Sequence, residues 1–267
     1  MLTRLLHIAN LAAAASSQYP MAPRRIGIFI GLTAVLLGCG AAAGAAEAVP
    51  LRVLFVGNSL TATNDLPGRV AGLAAAAGKR LEYEGITYGG FSLEDHWLQG
   101  DARAALATGG WNVVIMQQGP SALPESQVDL RLWAARFADD ARAVGTRPAL
   151  LTVWPEDYRR PALSDVIVSY RSAAEAAGAQ LFPAGEAWHA AWECNARLPL
   201  YGPDGFHPSA LGTYAAALVI YGRLFKAPLF EASLRRGVKP KIARLLQAAA
   251  TKALGRKVPA TKRCGGK

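Results

Sequence analysis

The chain has 267 residues, 52% of them hydrophobic and 18% charged, which excludes a disordered tail and a fibrous repeat. Its three cysteines are too few for a disulfide-dense scaffold or a Cys-rich zinc module. The formal net charge is +10, yet residues 235–267 carry eleven basic groups and no acidic one, whereas residues 47–231 hold 15 basic against 19 acidic groups. The part long enough to build a core is mildly acidic, which argues against nucleic acid as a partner.

Residues 1–46 read as an N-terminal extension followed by an export signal. Met21-Ala-Pro-Arg-Arg25 makes a basic start, 26–37 is a short apolar run, and small residues lead to Gly44-Ala45-Ala46 before Glu47. That is the layout of a secretory signal, and its apolar part is short for a membrane span. Leu36-Leu37-Gly38-Cys39 also has the form of a lipobox. Two processing readings therefore stand, cleavage after Ala46 or acylation at Cys39, and both predict a periplasmic or envelope protein. An oxidising compartment would permit Cys194 and Cys264 to pair.

From residue 47 to 231 the pattern is that of one α/β domain. Residues 51–56 form an apolar run ending at Gly57, fit for a buried parallel strand. A helix is predicted over 67–77 with Gly78 behind it, then a strand over 80–88 ending in Gly89-Gly90. Ser92 and Asp95 are placed to cap the next helix. Further strands are predicted over 111–117, 148–154 and 179–183, and helices over 128–144, 162–177 and 209–225. Strands alternating with long helices predict a parallel sheet covered on both faces, with its functional groups at the strand carboxyl ends. Residues 232–267 read as a basic tail. Within it, Ile242, Leu245, Leu246 and Ala249 recur at helical spacing, suited either to an anionic membrane surface or to docking on the domain.

Two strand-end motifs carry chemistry. After the first strand comes Gly57-Asn58-Ser59-Leu60-Thr61, where a glycine lets the chain turn and leaves a serine on the exposed bend. Before the last helix comes Asp204-Gly205-Phe206-His207-Pro208. Asp204 and His207 are three apart, so the carboxylate can hold the imidazole Nδ1–H and leave Nε2 as a base, the division of labour a serine nucleophile needs. Each motif alone is also a common capping pattern.

Together the two motifs resemble those of the SGNH-hydrolase (GDSL-like lipase/esterase) superfamily over residues 51–225. The resemblance implies a three-layer α/β/α fold with a flavodoxin-like parallel sheet of about five strands. It implies Ser59 as nucleophile, His207 as general base and Asp204 as its orienter. The backbone N–H groups of Ser59 and Gly90 (in Gly89-Gly90-Phe91-Ser92) become oxyanion donors. Asn58 stands where the family usually has Asp. The family's Gly-x-Asn block is absent; Met116-Gln117-Gln118-Gly119-Pro120-Ser121 stands in its place, and Gln117 or Gln118 is favoured over Ser121 as the carboxamide donor.

The resulting expectation is an exported serine esterase for small acyl esters, O-acetyl groups on carbohydrate foremost, acting on a small ester or acylated carbohydrate without metal or organic cofactor. A catalytically weak carbohydrate-binding envelope protein and an O-acyltransferase are the alternatives. Association with a membrane would run through an acylated Cys39 or the basic tail. His96 and His189 lack metal-ligand spacing and are expected on helix surfaces. Trp97, Trp154, Trp188 and Trp192 are expected in packing rather than in sugar stacking.

Overall fold

The computed structural model describes residues 49–231 and 237–260; the segment read as an export signal, Cys39 and Cys264 lie outside them. Within the described residues five strands form one all-parallel sheet in the order β2-β1-β3-β4-β5. They are β1 (Leu51–Gly57), β2 (Leu81–Thr87), β3 (Val113–Met116), β4 (Arg147–Leu151) and β5 (Gln180–Phe182). β1 and β3 sit in the middle because their residues are apolar on both faces: Val53 to Val56 and Val113 to Met116 are all buried. Such continuous apolar runs suit a sheet with helices on either side. β2 is an edge strand, and its central residues Glu82, Tyr83 and Glu84 are exposed.

Two groups of helices cover the sheet. One contains α2 (Leu66–Ala76), α7 (Ala184–Cys194), α8 (Ala210–Phe225) and α9 (Pro240–Ala253); α2, α7 and α9 all pack on α8. The other contains α3 (Leu93–Gln99), α4 (Asp101–Ala107), α5 (Pro124–Ala143) and α6 (Leu163–Ala176). The remaining helix, α1 (Ser59–Ala62), is a single turn after β1. α8 is buried along almost its whole length, from Gly212 to Gly222, as expected of a helix that is apolar all round. No helix among the described residues is long and apolar enough to cross a membrane.

Several boundaries differ from the expectations for local reasons. α5 begins four residues earlier than predicted because Pro124 occupies its first turn, where a missing N–H is harmless. Ser209, expected as the first residue of the last helix, is instead the residue that caps α8, its hydroxyl accepting from Leu211 and Gly212 N–H; Pro208 pairs with Tyr201 in an isolated antiparallel bridge. α7 has no counterpart in the expected element list. The basic segment supplies a packed helix: α9 buries Ala243, Leu246, Ala249 and Ala250 and leaves Lys241, Arg244 and Lys252 exposed. Burying that stripe ties it to α7 and α8. Cys194, the last residue of α7, is disulfide-bonded.

Candidate active site

The turn after β1 is built by Asn58. This residue caps α1, its side-chain Oδ1 accepting from Leu60 N–H at 3.1 Å, so that Ser59 becomes the first helical residue. The first amides of a helix have no partner inside it, and Ser59 N–H has none among the described residues. Gly57 must be glycine, because a Cβ there would lie 2.6 Å from Gln117 Oε1 and 2.9 Å from Thr61 Oγ1.

The segment before α8 is a tight loop closed on itself. Gly202 N–H donates to His207 O at 2.7 Å, and Asp204 Oδ1 accepts from Phe206 N–H and His207 N–H, each at 3.0 Å. The other carboxylate oxygen lies 2.5 Å from His207 Nδ1. One oxygen therefore shapes the loop and the other orients the ring. The hydrogen bond from His207, followed by that from Phe206 N–H, holds the Asp204 carboxyl down at about 2. A carboxylate can only accept, so Nδ1 carries the proton and Nε2 presents a lone pair. That lone pair lies 2.8 Å from Ser59 Oγ. In this arrangement a neutral imidazole accepts a hydroxyl proton while the carboxylate stabilises the imidazolium that forms.

Other contacts hold the two halves together. Asn64, in the turn between α1 and α2 at φ 57°, donates to Pro208 O at 2.8 Å and to Thr213 Oγ1 at 2.9 Å, joining the serine side to the histidine side. Trp154 Nε1 donates to Phe206 O at 3.2 Å and Tyr201 OH to Pro155 O at 2.6 Å. Thr63, Asn64, Tyr201, Asp204 and His207 line an open cleft of about 700 Å³. Asn64 went unrecognised in the sequence, where an Asn-Asp pair reads only as a turn.

Gly90 sits in the loop after β2 at φ 78°, a conformation that favours glycine, and its N–H has no partner among the described residues. The two glutamines after β3 behave differently. Gln117 is 0% exposed. Its Oε1 accepts from Asn58 N–H at 3.0 Å and Thr61 Oγ1 at 2.8 Å, and its Nε2 donates to Asn58 Oδ1 at 2.9 Å and Gln118 O at 2.7 Å. Both amide hydrogens are engaged, so none is left for a substrate. Gln118 is 9% exposed. Its Oε1 accepts from Leu93 N–H at 3.1 Å, which fixes which end of the amide is which, and its Nε2 has no partner among the described residues. The Tyr170 hydroxyl clamps the Gln118 main chain, accepting from its N–H at 3.0 Å and donating to its carbonyl at 2.5 Å. Ser121 lies further along the loop, its Oγ 3.5 Å from Leu123 N.

His96 is not a helix-surface residue. It is 0% exposed, packs against the rings of both Tyr88 and Phe91, and its Nε2 donates to Gly57 O at 2.7 Å. Its Nδ1 is buried without a partner among the described residues. Desolvation, the largest influence, lowers its pKa. His189 is exposed beside Glu193. Trp154 and Trp188 are fully buried and stacked at 3.7 Å, with Trp192 edge-on to Trp188. Trp97 packs on Trp133 and Phe137 beneath Arg103. Among the described residues no group of three His, Cys, Asp or Glu side chains could hold a metal ion.

No protein-family model and no curated protein matches the chain. Solved structures do. A DUF4886-family protein from Bacteroides uniformis superposes with a TM-score of 0.66 at 20% identity, over 79% of this chain and 98% of its own. A candidate SGNH hydrolase from Slackia heliotrinireducens gives 0.56 at 27% identity, over 66% of this chain and 100% of its own. An acetyl xylan esterase gives 0.53 at 16% identity, over 65% and 99%. With its five-stranded parallel sheet and helices on both faces, the chain has the fold of the SGNH hydrolases, the superfamily its motifs resemble.

Proposed function

We propose that the protein is an exported serine esterase. The observation that carries the reading is the chain of contacts from Asp204 Oδ2 to His207 Nδ1 and from His207 Nε2 to Ser59 Oγ, at 2.5 and 2.8 Å. Ser59 Oγ attacks the ester carbonyl as His207 Nε2 takes its proton. The tetrahedral oxyanion is met by Ser59 N–H, Gly90 N–H and Gln118 Nε2, each without a partner among the described residues. His207 then gives its proton to the departing alcohol as the acyl-enzyme forms. Water repeats the sequence, losing a proton to His207 and releasing the carboxylic acid and free Ser59. Gln117 takes no part as a donor, since its amide is already saturated.

The substrate is a small acyl ester, O-acetyl on carbohydrate first. An open cleft suits a bulky alcohol portion, and acetyl xylan esterase and acetyl-xylooligosaccharide esterase stand among the structural neighbours. Export is supported by the signal-like layout of residues 21–46 and by the disulfide at Cys194, a bond rare in reducing compartments. The mass of the mature N-terminus tests export: acylated Cys39 or a start at Glu47 supports it, and an uncleaved cytoplasmic chain sinks it. Turnover of p-nitrophenyl acetate by the mature protein, set against Ser59→Ala, tests the chemistry. Equal rates in the two proteins would end the esterase reading.

A further inference from the structure

Beneath the nucleophile turn, the Gln117 carboxamide holds Asn58 at two points, accepting from its main-chain N–H at 3.0 Å and donating to its side-chain oxygen at 2.9 Å. From this pair, bonds run to every segment that presents a candidate oxyanion donor. Asn58 immediately precedes Ser59. Its Nδ2 donates at 3.0 Å to the carbonyl of Phe91, the neighbour of Gly90. Gln117 Nε2 donates at 2.7 Å to the carbonyl of Gln118. Thr61 Oγ1 closes the network on Gln117 Oε1 at 2.8 Å. Asn58 is 6% exposed, Thr61 1% and Gln117 0%, so water does not compete for these bonds.

We infer that Asn58 and Gln117 are positioning residues that fix Ser59, Gly90 and Gln118 relative to one another, and that position 58 requires a carboxamide because its Nδ2 must donate to Phe91 O. The inference rests on the esterase reading above. It runs against the family pattern, in which aspartate is usual at this position. A carboxylate at 58 would set an acceptor against the Phe91 carbonyl and leave that part-buried oxygen without its donor. The loop bearing Gly90 would lose its bond to the nucleophile turn. Displacing a donor by even an ångström is felt mainly in the transition state, where the oxyanion forms.

Kinetics of Asn58→Asp, an isosteric change, provide the test. The expected result is a kcat lowered by roughly 10- to 100-fold with KM within about 2-fold. In a Gln118→Ala background the same change should cost clearly less, because the loop freed at Phe91 also holds Gln118 through Leu93 N–H, and that part of the loss has already been taken. A structural role alone would lower stability equally in both backgrounds without this coupling. If Asn58→Asp fails to fold by circular dichroism, Thr61→Val removes one bond of the network at nearly constant shape, and its kcat should fall several-fold. Full kcat in Asn58→Asp or, where that variant does not fold, in Thr61→Val overturns the inference. So does an undiminished loss beside Gln118→Ala. In both cases an inactive Ser59→Ala leaves the esterase reading standing. Retained turnover in Ser59→Ala overturns both.

Discussion

The His207 imidazole meets the Ser59 hydroxyl at 2.8 Å, across the seam between the turn after β1 and the loop before α8. On the esterase reading the two side chains act as a unit, since the nucleophile needs the base to lose its proton and the base has no function without it. Ser59→Ala and His207→Ala should each reduce kcat by roughly 10⁴-fold or more, and the double variant should be little worse than either. Losses that multiply in the double variant would show two independent roles. Initial rates on a chromogenic acetate ester decide between these outcomes.

Asp204 gives a sharper test, because its two oxygens have different tasks. In Asp204→Asn, the oxygen must stay with Phe206 and His207 N–H, its partners at 3.0 Å. The new NH₂ then faces His207 Nδ1, forces the proton onto Nε2, and removes the base that Ser59 needs. Asp204→Asn should therefore lose roughly 10³- to 10⁴-fold in kcat, whereas Asp204→Ala, which imposes no tautomer, should retain more activity. The carboxyl is held at about 2, so Asp204 is ionised throughout the assay range and contributes no step to the pH profile above about pH 4. The opposite ranking of Asn and Ala would contradict the tautomer argument.

Of the three side chains considered for the third oxyanion donor, Gln118 alone has a free amide end. Gln118→Ala should lower kcat by roughly 10²- to 10³-fold with little change in KM, since the bond strengthens only as the oxyanion develops. Ser121→Ala should be nearly silent. A silent Gln118→Ala with a large loss at Ser121 would place the donor elsewhere.

His96 makes stability depend on pH in a stated direction. Burial lowers its pKa below the ordinary 6.5, while Gly57 O and the carboxylates of Asp95 and Asp101 oppose that shift. The unfolded chain then binds more protons than the folded one in the window below 6.5. Stability is therefore complete above that value and falls as pH drops through it toward the lowered folded value. Melting temperature should decline between pH 7.5 and 5.5. His96→Gln, which keeps a donor for Gly57 O, should start lower yet show a flatter slope. Equal slopes in the two proteins would assign the pH dependence to other groups.

Much of this architecture was legible in one dimension. The apolar runs at 51–56 and 111–117 predicted buried parallel strands, because a strand covered on both faces cannot alternate. The Asp204–His207 pair was legible because residues three apart in a tight turn meet whatever the rest of the chain does. The pairing of that loop with Ser59 came from resemblance, since no local rule joins residues 148 positions apart. Sequence left Gln117 and Gln118 equivalent. Tertiary structure separates them: consecutive residues at a strand end point to opposite sides, so one side chain is buried beneath the nucleophile turn and the other keeps an unpaired amide. Packing likewise decided His96, polar in sequence yet enclosed by Tyr88, Phe91 and the end of β1, and it made the basic segment a helix of the core. Periodicity records which residues avoid water; which polar groups find one another depends on neighbours that only the folded chain supplies.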